Sequence, residues 1–151
     1  MTVKAALVPV GEKPRMITIE PDSDGSYLKA LQKLVKGPID AFSVLYGEQP
    51  LIWVNDNGLC QGAPNRAVFA NERMAEIGYI SQLDYSTTVA PGELYTVIYG
   101  DFVAMAYDRD ENGDEVPRDI TDAEFERVCR DFADTDSGFI ATLAIKAGLV
   151  V

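Results

Sequence analysis

Alternation of apolar and polar positions predicts a hairpin at the start of the chain. Val3 to Pro9 (VKAALVP) reads as one strand, and Arg15 to Glu20 (RMITIE) as a second in which Ile17 and Ile19 face away from Met16, Thr18 and Glu20. The turn-prone Gly11-Glu12-Lys13-Pro14 joins them. The period then lengthens to that of a helix. Leu28, Leu31, Leu34 and Val35 fall on one face with Lys29, Lys33 and Lys36 turned outward, and Gly37-Pro38 predicts the stop. Ile39 to Leu45 and Leu51 to Val54 read as strands, followed by a turn at Asn55-Asp56-Asn57-Gly58. Pro64 and Asn65 predict a capped start for a helix over Arg66–Ile77, with Ala67, Val68, Ala70, Met74 and Ile77 toward the core and Gly78 at its end.

Residues 79–92 carry no sustained period and read as a connection. Leu94 to Tyr107 is the most hydrophobic strand-prone run, interrupted at Gly100-Asp101 by a bulge or by a bend between two strands. Thr121-Asp122-Ala123-Glu124 has capping-box spacing and opens a helix through Phe125, Val128, Cys129 and Phe132. Ser137 is the expected cap of a last helix through Phe139, Ile140, Leu143 and Ile145, closed by Gly148, while the ending GLVV equally suits a short strand. The expectation is one α+β domain over residues 1–151, a mostly antiparallel sheet with three to four helices packed on it. Within it, residues 116–151 read as an acidic, helical C-terminal extension.

Composition narrows the class. A chain of 151 residues, 47% of them hydrophobic, can bury a core without staples. It has no run of the roughly 18 apolar residues a membrane span needs and no secretory leader pattern, so it reads as soluble and intracellular. The cysteines Cys60 and Cys129 read as reduced, part-buried thiols. The formal charge of −11 is concentrated. Residues 101–136 hold thirteen acids against Arg109, Arg118, Arg127 and Arg130. A field of that sign opposes direct nucleic-acid binding and favours a basic partner.

Two segments, LQKLVKGPIDAF at 31–42 and VNDNGLCQGAPNRAVFA at 54–70, precede the run GELYTVIYGDFVAMAYD at 92–108. In that order they resemble the small proteins catalogued as domain of unknown function 3846, encoded mainly by bacteriophages and mobile elements in bacteria. The resemblance covers roughly residues 4–115, matching at Leu31, Gln32, Val35, Gly37, Asn55, Gly58, Gly62, Pro64 and Asn65. Lys36 stands where a second small residue is expected. The resemblance implies an accessory phage protein, expected in the cytoplasm of a bacterial host cell, and brings no catalytic residue or cofactor.

Without histidine there is no imidazole base and no Ser-His or Cys-His nucleophile, and neither GxxxxGK[ST] nor GxGxxG occurs. Catalytic residues, cofactors and a metal are therefore not expected. Asp108-Arg109-Asp110-Glu111-Asn112-Gly113 matches the first half of a calcium loop, but Glu115 and Asp119 break the second half. Two binding sites are considered. Gln32, Asn55, Asn57, Asn65 and Arg66 would hold an anionic small ligand or nucleotide at a helix N-terminus, near Tyr79, Tyr85, Tyr95 and Tyr99. Alternatively, Asp108, Asp110, Glu111, Asp114, Glu115, Asp122 and Glu126 would dock on a basic surface of a host protein, in the extreme case as a row mimicking DNA phosphates. Homodimerisation stays open.

Overall fold

The computed structural model describes residues 1–47, 49–58, 62–82 and 84–146. The expected hairpin is β1 (Val3–Val8) against β2 (Arg15–Ile19), with Val3 opposite Ile19 and Leu7 opposite Arg15. α1 (Leu28–Val35) follows, then β3 (Ile39–Phe42), β4 (Leu51–Asn55), β5 (Pro64–Phe69) and α2 (Glu72–Ile77). The chain continues through β6 (Leu94–Tyr99), β7 (Phe102–Arg109), β8 (Glu115–Arg118), α3 (Asp122–Asp131) and α4 (Ser137–Lys146). The main sheet runs β2-β1-β7-β4-β3, with β8 also on β7, and every described pairing is antiparallel. β5 and β6 form a separate two-stranded ribbon. The fold is α+β, as the sequence pattern indicates.

β7 lies at the centre. Phe102, Ala104 and Ala106 join the core on one face and Val103 and Met105 the core on the other, all of them buried. A strand covered on both sides needs no polar alternation, which explains why this stretch reads as one apolar run. α1 covers one face, laying Leu31 and Val35 on Val3, Ala5, Leu7 and Ile19. The ribbon, α2 and α3 cover the other through Val68, Ile98, Met74, Val128 and Phe132. Phe132 meets Phe102 edge to face at 5.1 Å between ring centres. α4 closes the outside of the ribbon, packing Ile140 and Ala144 on Val97.

The helix expected over 66–77 is corrected. Pro64–Phe69 is a strand paired to Leu94–Tyr99, and only Glu72–Ile77 is helical. Asn71 is the cap, its side-chain oxygen accepting the Met74 N–H at 2.9 Å. A short run such as RAVFA satisfies either period, and pairing with β6 decides it; a proline is tolerated as the first residue of a strand. Ile77, expected in the core, is exposed.

Two further boundaries differ. Lys36, not Gly37, takes the left-handed conformation that ends α1 (φ 64°). Glycine is needed at 37 because a Cβ there would lie 2.7 Å from Asn55 Nδ2. Asp136 rather than Ser137 caps α4, its carboxylate accepting the Phe139 N–H at 3.0 Å. The break at Gly100-Asp101 is where the chain leaves the ribbon for the main sheet, with Gly100 at φ 79°. Cys60, Gly148 and the alternative strand at 148–151 lie outside the described residues.

The capping box forms as expected. Thr121 Oγ1 accepts the Glu124 N–H at 3.1 Å, and Glu124 Oε1 accepts the Thr121 N–H at 2.9 Å. Arg118 donates to both Glu124 oxygens, at 2.8 and 2.9 Å. Arg118 first, helped by the Thr121 N–H, holds the Glu124 carboxyl at about 2 against an ordinary 4.5. A depressed carboxyl pKa contributes stability that is complete above pH 4.5 and is lost as the pH falls toward 2. Glu124→Gln keeps the cap geometry and removes this charge. Its urea midpoint should therefore fall less steeply between those limits than that of the unaltered protein; equal slopes would contradict the assignment.

Candidate functional site

The polar residues singled out at the Asn55–Arg66 corner separate into two sets. In the first, β4 ends at Asn55, whose Nδ2 donates to the Val35 carbonyl at 3.0 Å and whose Oδ1 accepts the Asn57 N–H at 2.7 Å. Asn55 thus ties off the last turn of α1 and forms an Asx turn into Asn57, which is exposed. Gln32 is half-buried on α1, and its backbone carbonyl accepts the Gly37 N–H at 3.0 Å. Gly37, Gly58 and Gly62 let neighbouring groups approach: a Cβ would meet Asn55 at 37, the Tyr99 carbonyl at 58 and Gly100 at 62.

The second set is Asn65 and Arg66, both about 1% exposed. Asn65 Nδ2 donates to the carbonyls of Val8 at 2.9 Å and Gly100 at 2.8 Å, and Oδ1 accepts from Arg66 Nη1 at 2.6 Å. Arg66 Nε donates to the Phe132 carbonyl at 2.9 Å, Nη1 also to the carbonyls of Asn65 and Pro9, and Nη2 to that of Glu12. No ion pair holds it among the described residues. Burial lowers the Arg66 pKa and the negative charge of Asp134 raises it. The guanidinium is surrounded by peptide oxygens rather than by a carboxylate.

The expected anion site is therefore not assembled. Asn65 and Arg66 belong to a strand, so they present no helix N-terminus, and their donors are occupied by the protein itself. Two clefts do flank Asn55. One, of about 410 Å³, is lined by Pro9, Val35, Lys36, Gly62, Gly100 and Asp101 among others; another, of about 260 Å³, by Phe42, Val54, Ile98 and Tyr99 among others. Among the described residues the only cationic side chain in the first is Lys36, which is paired with Asp101 at 3.4 Å, and Asp101 also accepts the Val10 N–H. Of the tyrosines, Tyr79 and Tyr95 pack edge to face, Tyr85 is exposed and Tyr99 lines the smaller cleft.

The acidic residues divide as well. Asp108, Asp110, Glu111, Asp114, Glu115, Asp122 and Glu126 are all exposed, the first five on the β7–β8 hairpin and the last two on α3. They do not form a free row. Asp108 pairs with Arg118 at 3.0 Å, Glu115 with Arg109 at 4.0 Å, and Asp110 Oδ1 accepts the N–H groups of Asn112 and Asp114 to fix the turn. Glu111, Asp114, Asp122 and Glu126 make no side-chain hydrogen bond or ion pair among the described residues. Spacing like duplex phosphates thus loses its support. Among the described residues no group of three or more His, Cys, Asp or Glu is placed to hold a metal ion, and no helix is long and apolar enough to cross a membrane.

The model of a family described as domain of unknown function (DUF3846) matches residues 3–130. The chain belongs to this family. The match runs past residue 115 through β8 and most of α3, the helix that supplies Val128 to the core. Matching positions of the DUF3846 resemblance are thus the ones that build the corner: Val35, Gly37 and Asn55 close α1, Gly58 and Gly62 let the chain approach Tyr99 and Gly100 at the end of β6, and Asn65 ties β5 to Val8 and Gly100. No curated protein matches the chain. A solved structure titled "Crystal structure of small RNA methyltransferase HEN1" is similar at 16% identity and a TM-score of 0.45, over 85% of this chain and 16% of that one. At that score the likeness carries no functional argument.

Sequence reasoning missed the arginines of α3. Arg127 lies over the Tyr46 ring at 4.3 Å from its centre, and Tyr46 donates its hydroxyl to Asp131 Oδ2 at 2.8 Å. Burial, and then Asp131, push the Tyr46 pKa up. The spacing of Arg127 and Arg130 on one side of a helix was the available signal. Cys129 is a free thiol, half-buried, its pKa raised by burial and by Glu126.

Arg66→Met leaves the acceptors at Phe132, Pro9, Glu12 and Asn65 without their donor. Leaving buried acceptors without their donor costs roughly 1–3 kcal/mol. Chemical denaturation should show a loss in that range, and a loss below about 1 kcal/mol would mean that the guanidinium contributes nothing to the fold.

Proposed function

We propose that this member of the DUF3846 family is a non-enzymatic accessory protein of a phage or mobile element that binds and modulates a host protein, such as a defence component. Its acidic hairpin docks on a basic surface of that host protein in the bacterial cytoplasm. The observation that carries the reading is the β7–β8 hairpin, where every residue from Asp108 to Val116 is exposed and the fold uses neither the Glu111 nor the Asp114 carboxylate.

Asp122 and Glu126 extend this surface onto the solvent side of α3. Exposed charges of one sign raise the rate of encounter with an opposite patch and are screened over about 8–10 Å at ordinary salt. Association of this kind is salt-sensitive. The polar corner offers no comparable recognition chemistry, because Asn65 and Arg66 are internally bonded and Lys36 is paired with Asp101.

The test compares capture from host lysate by the intact protein, by a hairpin variant (Glu111→Gln, Asp114→Asn, Glu126→Gln) and by a control variant (Glu72→Gln, Glu76→Gln) on exposed positions of α2. A specific host protein should be retained by the intact and control proteins at low salt, and lost by the hairpin variant and at high salt. Retention by a folded hairpin variant would overturn the reading.

A further inference from the structure

β5 is paired on one side only, to β6, among the described residues. Along its other side runs a groove of about 420 Å³ lined without a gap by Ala67 through Asn71, and across it by Arg127, Arg130, Asp131 and Phe132. Consecutive strand residues line a groove together when it follows the strand's edge, since alternate side chains point to opposite faces. An edge strand presents unpaired peptide groups, the chemistry by which an extended peptide adds to a sheet.

The charge of the groove is opposite to that of the protein. In a chain of net charge −11, Arg127 and Arg130 make no ion pair among the described residues. Arg127 is held in place by stacking over Tyr46. Asp131, the one acid of the wall, is engaged by the Tyr46 hydroxyl. Phe69 stands about half exposed at the rim, an apolar contact for an incoming side chain.

We propose that this groove binds an extended, acidic segment of a partner protein, which adds to β5 as a strand while its carboxylates meet Arg127 and Arg130. The five residues Ala67 to Asn71 that line the groove set the length of the contact at about 17 Å. This surface is independent of the acidic hairpin and selects the opposite charge.

The probe is a displayed library of random decapeptides selected on the intact protein. Enriched sequences should carry Asp or Glu among strand-prone residues, and an enriched peptide should shift the Ala67 and Phe69 amide signals of the labelled protein. Arg130→Gln should weaken it severalfold, and Arg127→Gln with Arg130→Gln at least tenfold; N-methylation of alternate peptide nitrogens in the pairing register should abolish binding. The Arg130 variant leaves the stacked Tyr46–Arg127 pair in place, so its loss of binding is not a folding defect. Enrichment of basic or proline-rich peptides, shifts confined to another surface, no enrichment, or occupation of the groove by a second copy of the chain would overturn the proposal.

Discussion

The packing of the ribbon on the main sheet depends on one buried cation. Arg66 enters the layer between them, where Val68 and Ile98 meet Ala6, Val8 and Phe102. It joins to β5 two parts of the chain that no strand pairing connects to it, the β1–β2 loop through Pro9 and Glu12 and the end of α3 through Phe132, and it also bonds its own neighbour Asn65. Asn65 extends the network to Val8 and Gly100. A guanidinium suits this role because it remains charged and offers five donors in a fixed plane, so that several peptide oxygens near chain turns can be satisfied together.

That constraint decides what remains for binding. Once Asn55, Asn65 and Arg66 are satisfied internally, the recognisable motif of the family is an account of how the corner closes. Charged groups without a side-chain hydrogen bond or ion pair among the described residues include the carboxylates of Glu111, Asp114, Asp122 and Glu126 and the guanidiniums of Arg127 and Arg130. On α3 the exposed Asp122 and Glu126 lie beside Arg130, while Arg127 and Arg130 line the groove along β5.

Elements fixed by local chemistry were legible in the sequence. The β1–β2 hairpin, the amphipathic α1 and the Thr121 capping box each lie within a short window whose periodicity or spacing has a single reading. β5 was not legible because its partner β6 is distant in the chain and RAVFA suits a helix as well as a strand. Asn71, three residues before the Met74 amide it accepts, was the better cap signal. The burial of Arg66 had no clear signature, since apart from the Asn65 side chain its partners are backbone carbonyls, which every residue possesses. The exposure of the acids at 108–116 was legible, but the pairing of Asp108 and Glu124 through Arg118 was not, because it depends on β8 lying beside β7.

The central claim is that Arg66 is an internal clasp and not a ligand anchor. Nitrogen-detected NMR of the arginine side chains tests it most directly. The account predicts a resolved Arg66 guanidinium whose Nε and Nη protons exchange slowly with water and do not move when inorganic phosphate or a nucleotide is added. An averaged, rapidly exchanging guanidinium that shifts on addition of phosphate would contradict it and return the corner to the role of a binding site.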